Sequence, residues 1–220
     1  MEQEQILPPR PARRELTAAD IRAVFGQHTA GVRLSETARW GLSGDHRLNP
    51  DMKPRSELTR AAVLVGLVGR EEGLTVLLTQ RTAHLSAHAG QISFPGGRFA
   101  PEDEDAVACA LRESREEVGL PADHVEVVGR LDTFITGTGY DITPVVGLIR
   151  VPFPVTPDPG EVAEVFEVPL SVIVDPANHQ RQSGELRGRM RTFYVIPYPD
   201  RYIWGATAAM LVNLAEVLNG

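Results

Sequence analysis

The sequence predicts an α/β (α+β) sandwich, and three features carry that reading. Apolar, β-branched runs of strand length recur from Ala61 to Pro197, a helix-period segment interrupts them before Leu120, and another, Thr207 to Leu218, closes the chain. Strands alternating with helices pack as sheet against helix around one core. At 220 residues, one compact domain can bury a good core and still carry a short appended piece.

Taken in order, the start MEQEQILPPRPARRE opposes helix at Pro8, Pro9 and Pro11 and lacks the apolar stretch of a signal peptide. Thr17, with an acid three residues on at Asp20, opens a capped helix that runs through Phe25. A polar, turn-rich stretch with Gly44-Asp45 and Asn49-Pro50 follows to about Leu58. Residues 1–58 are therefore expected to be an extension that packs on the domain or on a second subunit, with the domain itself at 59–220. Ala61–Val68 and Leu74–Gln80 flank Gly69-Arg70-Glu71-Glu72-Gly73 and predict a hairpin. Ile92–Phe94 is a short strand, and Val125–Thr136, Ile142–Val151, Val162–Val168 and Thr192–Pro197 are further strands.

The helix ending at Leu120 carries the chemistry. In Arg112-Glu113-Ser114-Arg115-Glu116-Glu117-Val118-Gly119-Leu120, the glutamates stand at i, i+3 and i+4, so they share a face. Their repulsion would destabilise a bare helix, and hard oxygen-seeking cations such as Mg2+ or Mn2+ relieve it while bridging to phosphates. Val107, Leu111, Ser114 and Val118 form the predicted buried stripe on the other face. Arg112, four residues before Glu116, is placed to hold that carboxylate. The bland alternative is a solvated charged face with ordinary salt bridges. Upstream, Phe94-Pro95-Gly96-Gly97 lets backbone approach a ligand or partner chain closely, and Glu102 to Asp105 crowd the helix start, where the helix dipole favours acids.

Together these segments closely resemble the signature of the Nudix hydrolases, a glycine, a glutamate some residues on, then Arg-Glu-small-x-Glu-Glu-x-Gly-hydrophobic. The resemblance implies a central mixed sheet between helices, an α/β/α sandwich, and metal-dependent phosphoanhydride hydrolysis. Gly97 to Glu104 spans six residues where the family has five, Arg98 occupies the strict glycine position, and Ser114 stands where a small or aliphatic residue is usual.

A second resemblance bears on substrate. Leu77-Leu78-Thr79-x-Arg81 and Gly90-x-x-x-Phe94-Pro95-Gly96-Gly97 look like the additional motif of the coenzyme A pyrophosphatase branch. Glu161-Val162, Val168-Pro169-Leu170 and Ile203–Ala208 look like that branch too. Arg81-Thr82 and Ser86 depart from the motif. The substrate implied is CoA, cut to adenosine 3',5'-bisphosphate and 4'-phosphopantetheine. Other nucleoside diphosphate derivatives (ADP-ribose, NADH) and a nucleotide-binding domain without catalysis stay open.

Composition sets limits. A net charge of −7 argues against a general nucleic-acid surface, mRNA decapping included, or an anionic-membrane surface. The one cysteine, Cys109, excludes an intrachain disulfide, suits a reducing cytoplasm and reads as packing filler, since a thiolate beside carboxylates is disfavoured. The expected metal ligands are Glu113, Glu116 and Glu117, with Arg112 supporting them and Glu161 or Glu164 as general base. Arg81, Phe94, Gly96, Gly97 and Arg98 are expected to bind substrate, with Arg130, Arg181 and Arg201 as reserve phosphate contacts. Trp204 and Phe94 read as core or site walls rather than stacking platforms, and His84 and His88 as structural or exposed. The expected partner is a small molecule, and a homodimer is compatible with the extension.

Overall fold

The computed structural model describes residues 15–28, 44–52, 55–84, 90–186 and 188–220. Among them, one mixed sheet lies between two helical layers. Its backbone is β1 (Thr59–Arg70), β2 (Gly73–Arg81), β3 (Ile92–Ser93), β5 (Val125–Arg130) and β7 (Tyr140–Ile149), in the order β3-β2-β1-β7-β5. Three more strands join it: β4 (Gly96–Arg98) on β1, β6 (Phe134–Ile135) on β7, and β8 (Val162–Pro169) on β2. The β1–β7 ladder is parallel, from Thr59↔Tyr140 to Val68↔Ile149, and the other ladders are antiparallel. A separate antiparallel sheet, β9 (Gln180–Leu186), β10 (Arg189–Tyr198) and β11 (Arg201–Trp204), flanks it.

Strand alternation divides the core in two. From β1, Ala62, Leu64 and Val68 meet Leu77, Val145 and the inner face of α3 (Ala106–Val118). Val65 and Leu67 point the other way, toward α1 (Ala18–His28), α4 (Leu170–Val174) and α5 (Gly205–Asn219). A short helix, α2 (Asp45–Leu48), precedes β1. The helix expected at Thr17 forms with its reciprocal cap: Thr17 N–H donates to Asp20 Oδ2 at 2.9 Å, and Asp20 N–H to Thr17 Oγ1 at 3.3 Å. Its Ile21 and Phe25 are fully buried in the core shared with residues beyond 58.

The hairpin closes with Arg70 opposite Gly73. The run 125–136 is not one strand: β5 and β6 each pair with β7, separated by Leu131 to Thr133. The strands β4, β9 and β11 were not among the sequence expectations. β9, Gln-Arg-Gln-Ser-Gly-Glu-Leu, has no apolar alternation and owes its extended form to pairing with β10. The buried side of α3 also differs from the predicted stripe. Ala106, Cys109, Ala110, Ser114, Glu117 and Val118 are buried, while Val107 and Leu111 are half-exposed. Small side chains at 106, 109 and 110 let the helix lie close on β1, which rotates Glu117 inward. Among the described residues no helix is long and apolar enough to cross a membrane.

Candidate active site

The site forms where α3, the glycine strand β4 and the β7–β8 connection meet. The Asp105 carboxylate caps α3 by accepting from the backbone N–H of Val107 and Ala108, both at 2.9 Å, and Gly119 ends it in a left-handed conformation at φ 73°. Gly97 pairs with Ala62, and a Cβ there would lie 2.5 Å from the Glu113 carboxyl carbon. Any side chain at 97 would take the place of the Glu113 carboxylate. Next to it, Gly96 N–H donates to Glu117 Oε2 at 3.1 Å.

The three glutamates are graded from inside to outside. Side-chain exposure is 5% for Glu117, 17% for Glu113 and 55% for Glu116. Burial is the main cause that pushes the Glu117 carboxyl up to about 7, opposed by the Gly96 N–H and Arg81 and reinforced by Glu113 and Glu161. Glu113 is raised as well, again chiefly by burial and against the pull of Arg112.

Two guanidiniums answer this charge. Arg112 Nη1 stands 2.9 Å from Glu113 Oε1 and 3.0 Å from Glu116 Oε2. Its other nitrogens donate to Asp103, Nε to Oδ1 at 2.9 Å and Nη2 to Oδ2 at 2.8 Å. That bidentate bond is the main reason the Asp103 carboxyl is held down to about 2, and Asp103 is the main cause that raises Arg112 above its ordinary range. Arg81 sits more loosely, 3.5 Å from Glu117 Oε1 and 3.7 Å from Glu161 Oε2.

The donor chemistry suits a hard divalent cation: crowded carboxylate oxygens, of which those of Glu117 are buried beside a glycine backbone and only loosely met by Arg81. As they lie, no three His, Cys, Asp or Glu side chains among the described residues converge into a ligand set. Glu113 and Glu117 are the pair such an ion would draw together, with Glu116 at the solvent edge.

The other expected residues divide. Arg81 and Glu161 belong to this cluster. Glu164 does not: it is held bidentately by Arg201, at 2.7 and 2.6 Å, and Arg201 also donates to Gln80 and lies over the Phe166 ring. Gln80, Glu164 and Phe166 occupy the sheet face opposite α3, because neighbours on a strand point to opposite sides. Phe94 is 2% exposed and packs in the core of that far face, so its ring does not line the carboxylate cluster. Arg98 turns away as well, donating to the Tyr140 hydroxyl, while its carbonyl accepts from Arg112. Of the reserve arginines, Arg130 pairs with Asp105 and Arg181 with the Tyr194 hydroxyl. Trp204 packs edge-on against Phe193. Cys109 is buried, its thiol pushed up to about 11 by burial first and Asp103 next. His88 and Ser86 lie outside the described residues.

Asp103 is the residue that sequence reasoning passed over. A gap of five intervening residues after Gly97 leads to Asp103, not Glu104, and that spacing was the available signal. Glu104 is exposed.

The NUDIX domain family model matches residues 58–188. The chain is 40% identical over 157 residues, 71% of its length, to the Nudix hydrolase NudL of Yersinia pestis (strain Pestoides F), covering 78% of that protein. The NudL of Yersinia pseudotuberculosis serotype O:1b matches to the same extent. Among solved structures, a MutT/nudix family protein from Enterococcus faecalis is 17% identical over 94% of this chain and 76% of that chain, at a TM-score of 0.45. A C. elegans Ap4A hydrolase is 21% identical over 52% of this chain and 83% of that chain, also at 0.45.

Proposed function

We propose that this chain, which belongs to the Nudix hydrolase family and is a pyrophosphatase, acts on coenzyme A with Mg2+ or Mn2+, giving adenosine 3',5'-bisphosphate and 4'-phosphopantetheine. The observation that carries the reading is where the motif resembling the coenzyme A branch lies. Its last arginine, Arg81, stands against Glu117 and Glu161, and its closing glycines, Gly96 and Gly97, stand against Glu117 and Glu113.

The residues divide the labour as follows. Glu113 and Glu117, with Glu116 outside them, would hold the divalent cation, which supplies positive charge at the pyrophosphate. Arg112, fixed by Asp103, keeps Glu113 and Glu116 oriented without needing to reach the substrate. Arg81 has a fork suited to phosphate oxygens and holds its carboxylates at 3.5 and 3.7 Å, so it gives them up for a phosphate at little cost. Glu161, 51% exposed and beside Arg81, is reached by water and serves as general base. One water adds across the anhydride: its oxygen joins one phosphorus, the bridging oxygen leaves with the other, and Glu161 takes the proton.

Chromatography of products from CoA, dephospho-CoA, ADP-ribose and NADH at matched concentration tests this. CoA is expected to exceed dephospho-CoA by ~10-fold in kcat/KM, since one charge-assisted contact to the 3'-phosphate contributes roughly 1.5 to 3 kcal/mol. A higher kcat/KM for ADP-ribose would overturn the substrate and leave the metal site standing. No turnover of any compound with either metal would favour a binding domain.

A further inference from the structure

Glu161 ends a connection that has no regular secondary structure yet must hold its carboxylate beside Arg81. Between β7 and β8 the chain runs Arg150-Val151-Pro152-Phe153-Pro154-Val155-Thr156-Pro157-Asp158-Pro159-Gly160-Glu161, largely exposed. Backbone bonds tie it to the last turn of α3: Thr156 N–H donates to Val118 O at 2.8 Å, and Asp158 N–H donates to Glu117 O at 2.9 Å. These satisfy carbonyls that a helix end leaves open. They also fasten the segment to the residue that carries the buried carboxylate.

Asp158 then organises the turn that leads to Glu161. Its carbonyl accepts from Glu161 N–H at 3.1 Å and from Val162 N–H at 2.8 Å, and its Oδ1 accepts from Gly160 N–H at 2.7 Å. The side-chain bond spans Pro159, which has no N–H to offer, and stops rotation at Gly160, the residue whose backbone is freest to turn. On the far side, Thr82 holds the turn through its N–H to Glu161 O at 2.9 Å and its hydroxyl to Gly160 O at 3.2 Å.

We infer that Asp158 is a positioning residue, its carboxylate fixing the turn that aims Glu161 at the cluster of Arg81 and Glu117. The inference rests on Glu161 being the general base. It assigns Asp158 no contact with substrate or metal.

The test uses the full chain with CoA and Mn2+. Asp158→Ala should lower kcat about 10-fold with KM within about twofold, because a misaimed base slows the chemical step without weakening ground-state binding. Asp158→Asn keeps an acceptor for Gly160 N–H and should recover most of the rate. On a Glu161→Gln background, Asp158→Ala should add less than about twofold, since the two act through one group. Mn2+ affinity, read by electron paramagnetic resonance, should be the same in Asp158→Ala and the parent chain.

Wild-type kcat in Asp158→Ala, a multiplicative loss on the Glu161→Gln background, failure of Asp158→Asn to recover the rate, or weakened Mn2+ binding would each overturn the inference. If Asp158→Ala does not fold, Asp158→Leu, which keeps the shape but removes the acceptor for Gly160 N–H, should show the same fall in kcat, and wild-type kcat in it would overturn the inference. Full activity of Glu161→Gln would instead remove the base assignment on which the inference rests. A slow Glu161→Gln beside a fully active Asp158→Ala would remove the positioning role alone.

Discussion

Gln80 and Arg81 are neighbours on one strand, and the two sheet faces they serve treat charge in opposite ways. On the Gln80 side, Arg201 closes on Glu164 with bonds of 2.7 and 2.6 Å, donates a third to Gln80 Oε1 and rests on Phe166. On the Arg81 side, the guanidinium stands 3.5 Å from a buried Glu117 and 3.7 Å from Glu161. The first group is satisfied and has little to gain from a ligand. The second is crowded with carboxylates, one of them raised to about 7. A catalytic site is expected on the side whose charge the fold leaves incompletely answered.

The largest expected effect breaks this comparison directly. Glu117→Gln should cut turnover ~100-fold or more at saturating Mg2+, because it removes charge stabilisation of several kcal/mol in the transition state. Glu164→Gln should change turnover less than about threefold and cost stability of ~1 kcal/mol or less, as befits a part-exposed ion pair. Steady-state kinetics and urea unfolding of both variants check it, and equal losses of turnover would erase the distinction between the faces.

Gly97→Val comes next. Its side chain would displace the Glu113 carboxylate, so turnover should fall ~30-fold or more, a loss of roughly 2 kcal/mol in transition-state stabilisation. Wild-type turnover would show that a side chain at 97 leaves the Glu113 carboxylate in working position.

A smaller effect compares the two acids at the helix start. Asp103→Asn should destabilise the protein by roughly 2 to 3 kcal/mol, under the full cost of breaking a buried pair, because the Arg112 side chain is 19% exposed. Glu104→Gln should stay within about 0.5 kcal/mol. The held-down pKa of Asp103 also fixes a sign: its contribution is present above its ordinary 3.8 and is lost as pH falls through about 2.

The smallest effect is a slope. Glu117 binds its proton more tightly in the folded chain, with a pKa of about 7 against an ordinary 4.5. Between those values the native state holds more protons than the unfolded one, so metal-free stability should fall as pH rises. Thermal unfolding in EDTA across that window should show the decline in the parent chain and a flatter profile in Glu117→Gln. A parent profile that rises with pH would contradict the burial of this carboxylate.

The sequence by itself determined the helical cluster of Glu113, Glu116 and Glu117, the capped first helix, the hairpin and the family. Each of these is written in local spacing: i, i+3, i+4 on a helix, alternation on a strand, a glycine pair before an acid-rich start. Spacing along one element could not say which acids outside it would join the cluster. Glu161 and Glu164 look alike in sequence, three residues apart, yet β8 and the turn at Asp158 send one toward Arg81 and the other to Arg201 across the sheet. Phe94 and Arg98 flank the glycine pair in sequence, yet strand direction turns both side chains from the carboxylates. The depth of each glutamate was likewise a tertiary matter. It follows from how closely Ala106, Cys109 and Ala110 let α3 approach β1, and only that packing buries Glu117 while leaving Glu116 in water.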